Sequence, residues 1–266
     1  MRIDGCTTLI TGASAGIGRE FARQLGGRVA TLVLVARRKA RLEELREELI
    51  GRHPQLRVEI RPTDLSQREP VDELIAWAGS QEPAIDLLIN NAGLGDMGAF
   101  STADPERVDS MMQVNMVALT RLTRALLPAM IEQKRGAILN ISSSAGFLPI
   151  PNFAVYAATK AYVTSFTEAL RGELYGTGIH VSALCPGPVR TEFTELARRP
   201  PTGPAPREPD LAHVPVEEVV RVALHGIEHN RPIVIPGMAM KLGMLFVRLT
   251  PLPLLRLGSR LFAKPG

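Results

Sequence analysis

Short apolar runs alternate along the chain with longer stretches in which apolar residues recur at helical spacing. Residues 7–11, 31–35, 57–60, 86–90, 137–141, 180–184 and 232–235 read as strands. The second run, Thr31-Leu-Val-Leu-Val35, is apolar nearly throughout, as a parallel strand covered on both faces requires. Residues 38–50 pair Arg with Glu at helical spacing and stop at Gly51, a residue suited to ending a helix. Asp104 followed by Pro105 is a helix start: a capping carboxylate, then proline in the first turn. That helix is expected to reach about residue 133, with a kink at Pro128. A further helical pattern covers residues 154–175. Seven strands separated by helices predict an α/β fold. It is a doubly wound, seven-stranded parallel sheet with helices on both faces and right-handed crossovers.

Composition narrows the class. With 266 residues the chain has room for one α/β domain. Hydrophobic residues make up 45% and charged residues 22%, which excludes a disordered or collagen-like chain. The formal net charge of +4 is unevenly spread. No acidic residue follows Glu228, whereas Arg231, Lys241, Arg248, Arg256, Arg260 and Lys264 do. The first 228 residues therefore hold 25 basic side chains against 27 acidic ones. So neutral a body, with 5% aromatics, argues against nucleic-acid binding. Cys6 and Cys185 sit at the ends of apolar runs and read as buried thiols. Residues 1–5 carry no cleavable signal pattern, so a cytoplasmic protein is expected. No metal site is expected.

Thr11-Gly-Ala-Ser-Ala-Gly-Ile-Gly18 follows the first strand and opens a helix. Gly12, Gly16 and Gly18 permit a tight turn and close approach of a pyrophosphate to the helix N-terminus. Ser14 adds a hydroxyl, and Ala15 and Ile17 complete the turn. Strand, turn and helix together are the context of a Rossmann-type dinucleotide site. Such a site normally places an acid at the end of the second strand to hold the ribose diol. Ala36-Arg37-Arg38 stands there instead. No carboxylate repels a 2′-phosphate, and Arg37 offers a fork that matches one, so NADPH is favoured over NADH. The competing reading makes Arg37 and Arg38 the solvated start of a helix. Asp64-Leu65 and Asn90-Asn91-Ala92-Gly93 follow the third and fourth strands, where these sheets bind ligands. Taken alone, the latter reads equally well as a plain turn.

Tyr156 and Lys160 stand one helical turn apart on a single face. An ammonium near a phenol favours phenolate, so the tyrosine pKa is expected to fall toward neutrality. Such a tyrosine can exchange a proton with an oxygen while hydride moves at carbon. Ser143, at the end of the fifth strand, can hydrogen-bond the same oxygen. Taken singly, the pair also reads as an ordinary surface contact and the serine as part of a serine-rich turn. Asn115 falls mid-helix, where asparagine is a poor helix former. It is either a misfit or a polar group at a slightly disrupted turn.

The ordered set resembles the short, single-domain branch of the short-chain dehydrogenase/reductase family. It comprises the glycine turn, Asn90-Asn-Ala-Gly93, Asn115, Ser143, Tyr156 with Lys160, and Pro186-Gly187 with Thr191. The matches run in family order over residues 5–235. The resemblance implies that Tyr156 is the acid/base and that Lys160 lowers its pKa and holds the nicotinamide ribose. Ser143 would orient the carbonyl, and Asn115 would hold a water behind Lys160. Val189 and Thr191 would contact the carboxamide, with Pro186 and Gly187 beside them. Arg37 would match NADP-preferring members, with Ser14 sharing the 2′-phosphate. The family also implies a homodimer or homotetramer.

Leu94, Phe147, Leu148, Ile150, Phe153 and Phe193 are expected near the hydride. An apolar lining fits a lipophilic ketone, aldehyde or alcohol. Residues 198–210 hold five prolines in thirteen positions, within a lid expected at about 191–214. The Rossmann domain is then residues 1–235, and residues 236–266 form a basic amphipathic extension. Pro251 and Pro253 must break any helix there, and the apolar runs are too short to span a bilayer. Lys241, Arg248, Arg256 and Arg260 share one third of a helical wheel. This admits membrane-surface contact through residues 237–263, or packing on a partner subunit or on the domain itself. A second functional reading keeps the fold as a nucleotide-binding regulatory or membrane-surface protein with little catalysis. The intact Asn115, Ser143, Tyr156 and Lys160 speak against it.

Overall fold

Seven parallel strands form one sheet in the order β3-β2-β1-β4-β5-β6-β7. They are β1 (Thr7–Thr11), β2 (Thr31–Ala36), β3 (Arg57–Pro62), β4 (Leu87–Asn90), β5 (Gly136–Ile141), β6 (Ile179–Leu184) and β7 (Ile233–Val234). The computed structural model describes residues 1–199, 213–251 and 253–256. Each expected strand forms within two residues of its expected ends. Alternation along the strands explains why. In β2, Leu32 and Leu34 enter one core and Val33 and Val35 the other. A run that must satisfy two cores is mostly apolar.

One core lies under α1 (Gly16–Leu25), α2 (Lys39–Arg52) and α8 (Val216–Glu228). Phe21, Leu45, Leu49 and Val220 fill it. The other lies under α3 (Arg68–Gly79), α5 (Leu119–Glu132) and α6 (Ala154–Glu173), with Leu74, Leu122, Leu126 and Leu170. Each fully buried leucine contributes about 1.5–3 kcal/mol relative to an exposed one. Contrary to expectation, α2 runs through Gly51 to Arg52; the His53 N–H closes it on Leu49 O at 2.9 Å.

Asp104 caps α4 (Pro105–Met112) by accepting from Glu106 N at 3.1 Å. Between α4 and α5 the chain makes a π turn, Gln113–Ala118, centred on Asn115. The helix then continues through Pro128 to Glu132. Among the described residues, the stretch Pro105–Glu132 alone is long and apolar enough to cross a bilayer. Its apolar side is the face that carries Leu122 and Leu126 into the core.

β1 and β4 are neighbours, yet β2 and β3 continue from β1 in the opposite direction. The crevice at this switch point, beyond the strand carboxyl ends, is where such sheets take ligands. Two further helices border it: α7 (Glu192–Ala197) and, in the extension, α9 (Met238–Leu249).

Candidate active site

A cleft of about 750 Å³ opens at the switch point. Gly12, Ser14, Ala15, Gly16 and Ile17 form its floor. Gly12 has φ +67°, and a Cβ there would lie 2.8 Å from Ala92 Cα, so only glycine fits the turn against the β4 loop. Asn91 ties the two loops together: its Nδ2 donates to Thr11 O at 2.9 Å and Gly12 O at 3.2 Å. Gly18 is not part of the cleft wall. A Cβ there would strike Gly12 O at 2.3 Å, so it serves helix-on-turn packing behind the floor.

Ala36, Arg37, Arg38, Thr63, Asp64 and Leu65 line the far end of the cleft. Arg37 and Arg38 are exposed. Arg38 Nη2 donates to Ser14 Oγ at 3.2 Å, which joins the end of β2 to the glycine turn. Asp64 Oδ1 is taken up by Ser66 N and Oγ at 3.0 and 2.8 Å. A helix N-terminus at Gly16, a cradle that excludes side chains, and guanidinium groups at one end suit a phosphorylated dinucleotide.

Tyr156, Lys160 and Ser143 meet at the middle of the same cleft. The Tyr156 ring stacks on Phe153 at 4.2 Å and lies 5.4 Å from Phe193. Burial pushes its phenol up to about 12, against a smaller opposing effect of the hydrogen bond with Ser143. Burial also pulls the Lys160 ammonium down to about 8. The expected fall of the tyrosine pKa is therefore reversed. Lys160 Nζ lies 5.7 Å from the ring centroid and donates to Ile141 O at 2.8 Å, so desolvation outweighs any attraction between ammonium and phenolate.

Ser142 points away from Tyr156: its hydroxyl donates to Lys160 O at 2.8 Å. Asn115 is buried behind the wall, not in it. Its Oδ1 accepts from Leu94 N at 2.8 Å, and its Nδ2 donates to Leu94 O and Thr159 Oγ1, both at 3.0 Å. The π turn is what lets an asparagine inside a helix reach a neighbouring loop in this way.

A match to the short chain dehydrogenase family spans residues 6–201. The chain belongs to the short-chain dehydrogenase/reductase family. It is 41% identical over 188 residues to the sulfoacetaldehyde reductase of Chromohalobacter salexigens, covering 70% of this chain and 73% of that protein. Among solved structures it resembles a short-chain dehydrogenase from Sphingobium yanoikuyae in complex with NADPH. There the TM-score is 0.80 at 34% identity, over 91% of this chain and 92% of that one. A bulky-bulky ketone specific alcohol dehydrogenase from Comamonas testosteroni superposes with a TM-score of 0.77 at 32% identity, over 91% and 90% of the two chains. The protein is accordingly an oxidoreductase acting on alcohol or carbonyl groups.

The apolar end of this dehydrogenase's cleft is lined by Leu94, Leu148, Ile150, Phe153 and Phe193. Phe147 is not in the lining; its ring lies under the Arg248 guanidinium, 5.8 Å away. Pro186, Gly187, Val189 and Thr191 form the wall facing the glycine turn. Thr191 caps α7, accepting from Phe193 N at 3.3 Å. Most of the proline-rich stretch expected as a lid, together with the end of the extension, lies outside the described residues.

Sequence reasoning missed Met97, Val114, Leu196, Met240 and Met244 in the lining. Met240 and Met244 come from α9, and a Cβ on Gly187 would lie 2.3 Å from Met240 Cε. Of the partners open to the extension, the domain itself therefore takes this face. Met238, Leu242, Leu245, Phe246 and Leu249 remain exposed on α9.

Proposed function

We propose that this short-chain dehydrogenase/reductase uses NADP(H) to reduce lipophilic ketones or aldehydes, or to run the reverse alcohol oxidation. The observation that carries the reading is Tyr156, buried among Phe153 and Phe193 beside Ser143 and Lys160. When bound, the nicotinamide cofactor supplies or accepts the hydride. Tyr156 gives its hydroxyl proton to the carbonyl oxygen in reduction and takes it back in oxidation. Ser143 donates a hydrogen bond to the same oxygen and holds it toward Tyr156. Lys160, fixed on Ile141 O beside Gly93, binds the ribose at the nicotinamide end. Asn115 fixes the Leu94 loop through its side chain. The relay water behind Lys160 is assigned to it from family resemblance alone.

Gly12, Ser14, Ala15, Gly16 and Ile17 cradle the pyrophosphate in this reading. Asp64, Leu65, Asn91, Ala92 and Gly93 flank the adenosine and the adjoining ribose. Arg37 and Arg38 favour the 2′-phosphate because no carboxylate stands at the end of β2. The NADPH complex of the Sphingobium relative supports this choice. The relatives' substrates, by name, run from sulfoacetaldehyde to bulky ketones. The apolar wall favours the latter class here. A homodimer or homotetramer is the assembly we propose, from family resemblance.

Tyr156→Phe is expected to keep the fold and cofactor affinity while turnover falls about 10²- to 10⁴-fold. Titration with NADPH and NADH, then assay of a ketone and aldehyde panel with the tighter one, tests the rest. Unchanged turnover in Tyr156→Phe would overturn the proton-transfer role. NADPH binding with no turnover on the panel would return the protein to a regulatory reading.

A further inference from the structure

Glu192 stands in the first turn of α7 and reaches across the far end of the cleft. Its Oε2 accepts from Arg38 Nη1 at 2.8 Å, and its Oε1 accepts from Arg41 Nη1. Arg38 is held from the other side by Ser14 of the glycine turn. A carboxylate carried by α7 thus sits between the guanidinium groups that follow β2. Its charge and its acceptor oxygens are those a phosphate would present at the same place. All three side chains are about two fifths exposed, so the contact is weakly held and open to exchange. A phosphomonoester carries up to twice the charge and one more acceptor oxygen.

Both ends of α7 are tied down. Beyond its C-terminal end, Arg199 Nε donates to buried Asp96 at 2.8 Å, and Met97 N donates to Ala197 O at 2.7 Å. Neither contact involves the cofactor cations. The N-terminal tie through Glu192 does. Its neighbours Thr191 and Phe193 face the glycine turn and Tyr156, respectively. A Cβ on Gly16 would lie 3.1 Å from Thr191 Cγ2, and Phe193 is 5.4 Å from the Tyr156 ring.

We propose that Glu192 stands in for the 2′-phosphate: it straps α7 to Arg38 and Arg41, and a 2′-phosphorylated nucleotide displaces it and frees the first turn of α7. The proposal rests on the NADP(H) reading above. A nucleotide without the 2′-phosphate leaves the strap in place. Cofactor identity would then be reported to the substrate end through Phe193.

The test uses the full chain, wild type and Glu192→Gln, with two half-cofactors, 2′,5′-ADP and 5′-AMP. Calorimetry gives affinities, and hydrogen exchange of peptides covering residues 190–199 reports on α7. The variant should bind 2′,5′-ADP about three- to tenfold more tightly than the wild type, with 5′-AMP unchanged within about twofold. In the wild type, 2′,5′-ADP and not 5′-AMP should speed exchange in α7. In the variant, exchange should be fast from the start and indifferent to either nucleotide. Unchanged or weaker 2′,5′-ADP binding in the variant overturns the proposal, as does α7 exchange that ignores the 2′-phosphate in the wild type. Equal wild-type affinity for the two nucleotides, with a preference gained in the variant, supports the strap and overturns the NADP(H) reading. Equal affinity in both proteins overturns both.

Discussion

Burial sets the protonation of the two ionisable side chains at the centre of the cleft. Removal from water disfavours whichever form is charged, so the Tyr156 phenol rises and the Lys160 ammonium falls. Near neutral pH Tyr156 is therefore the protonated phenol, ready to give its proton to a carbonyl oxygen. Alcohol oxidation needs the phenolate, whose population grows tenfold per pH unit below a pKa of about 12. The sign follows: oxidation should climb steeply with pH, and reduction should hold nearly level while the phenol stays protonated. We expect kcat/KM for oxidation to rise about tenfold per unit between about pH 6 and 7.5, below the point near 8 where Lys160 loses its charge, with reduction changing less than about twofold. A level oxidation profile over that range would remove Tyr156 from the proton path.

At the scale of elements, α7 is placed by contacts from outside itself. Asp96, buried in the loop after β4, holds both Arg199 and Arg107, and Arg107 in turn donates to Leu196 O. The hydrogen bond from Arg199 holds the Asp96 carboxyl below its usual range. Asp96→Asn keeps the shape and removes the charge. It should lower stability by about 1–3 kcal/mol and raise KM about three- to tenfold, with cofactor affinity intact. Urea titration and steady-state kinetics check this; an unchanged KM would show that the latch does not shape the substrate end. The latch was invisible in the sequence because its partners lie 103 positions apart and share no period. Asn115 was half visible: a poor helix former inside a helix signals a local break. The bonds to Leu94 that explain it need the folded loop. The strands were legible because strands covered on both faces leave little room for polar residues. The glycine turn was legible because close approach of two backbones admits no side chain.

Across the whole molecule, α9, late in the chain, borders the cleft that the first strand opens. The helical wheel of the extension showed which residues share a face, but gave no sign of what that face meets. Met240 and Met244 meet the Pro186-Gly187 loop and the apolar end of the cleft, while Arg248 covers Phe147. Methionine suits this place: it is unbranched and polarizable, and it adapts to irregular apolar surfaces. If these two side chains set the depth of the substrate end, replacing both by alanine should enlarge it without touching the glycine turn. The double variant is expected to bind NADPH within about twofold of the wild type. Its kcat/KM for a bulky ketone, relative to a small one, should rise about tenfold, at a stability loss of about 2 kcal/mol or more. The ratio is the decisive quantity, because a general loosening of the fold would lower both ketones together. An equal fall for the two, with cofactor affinity retained, would make α9 a brace for the domain and leave substrate size to Phe153 and Phe193.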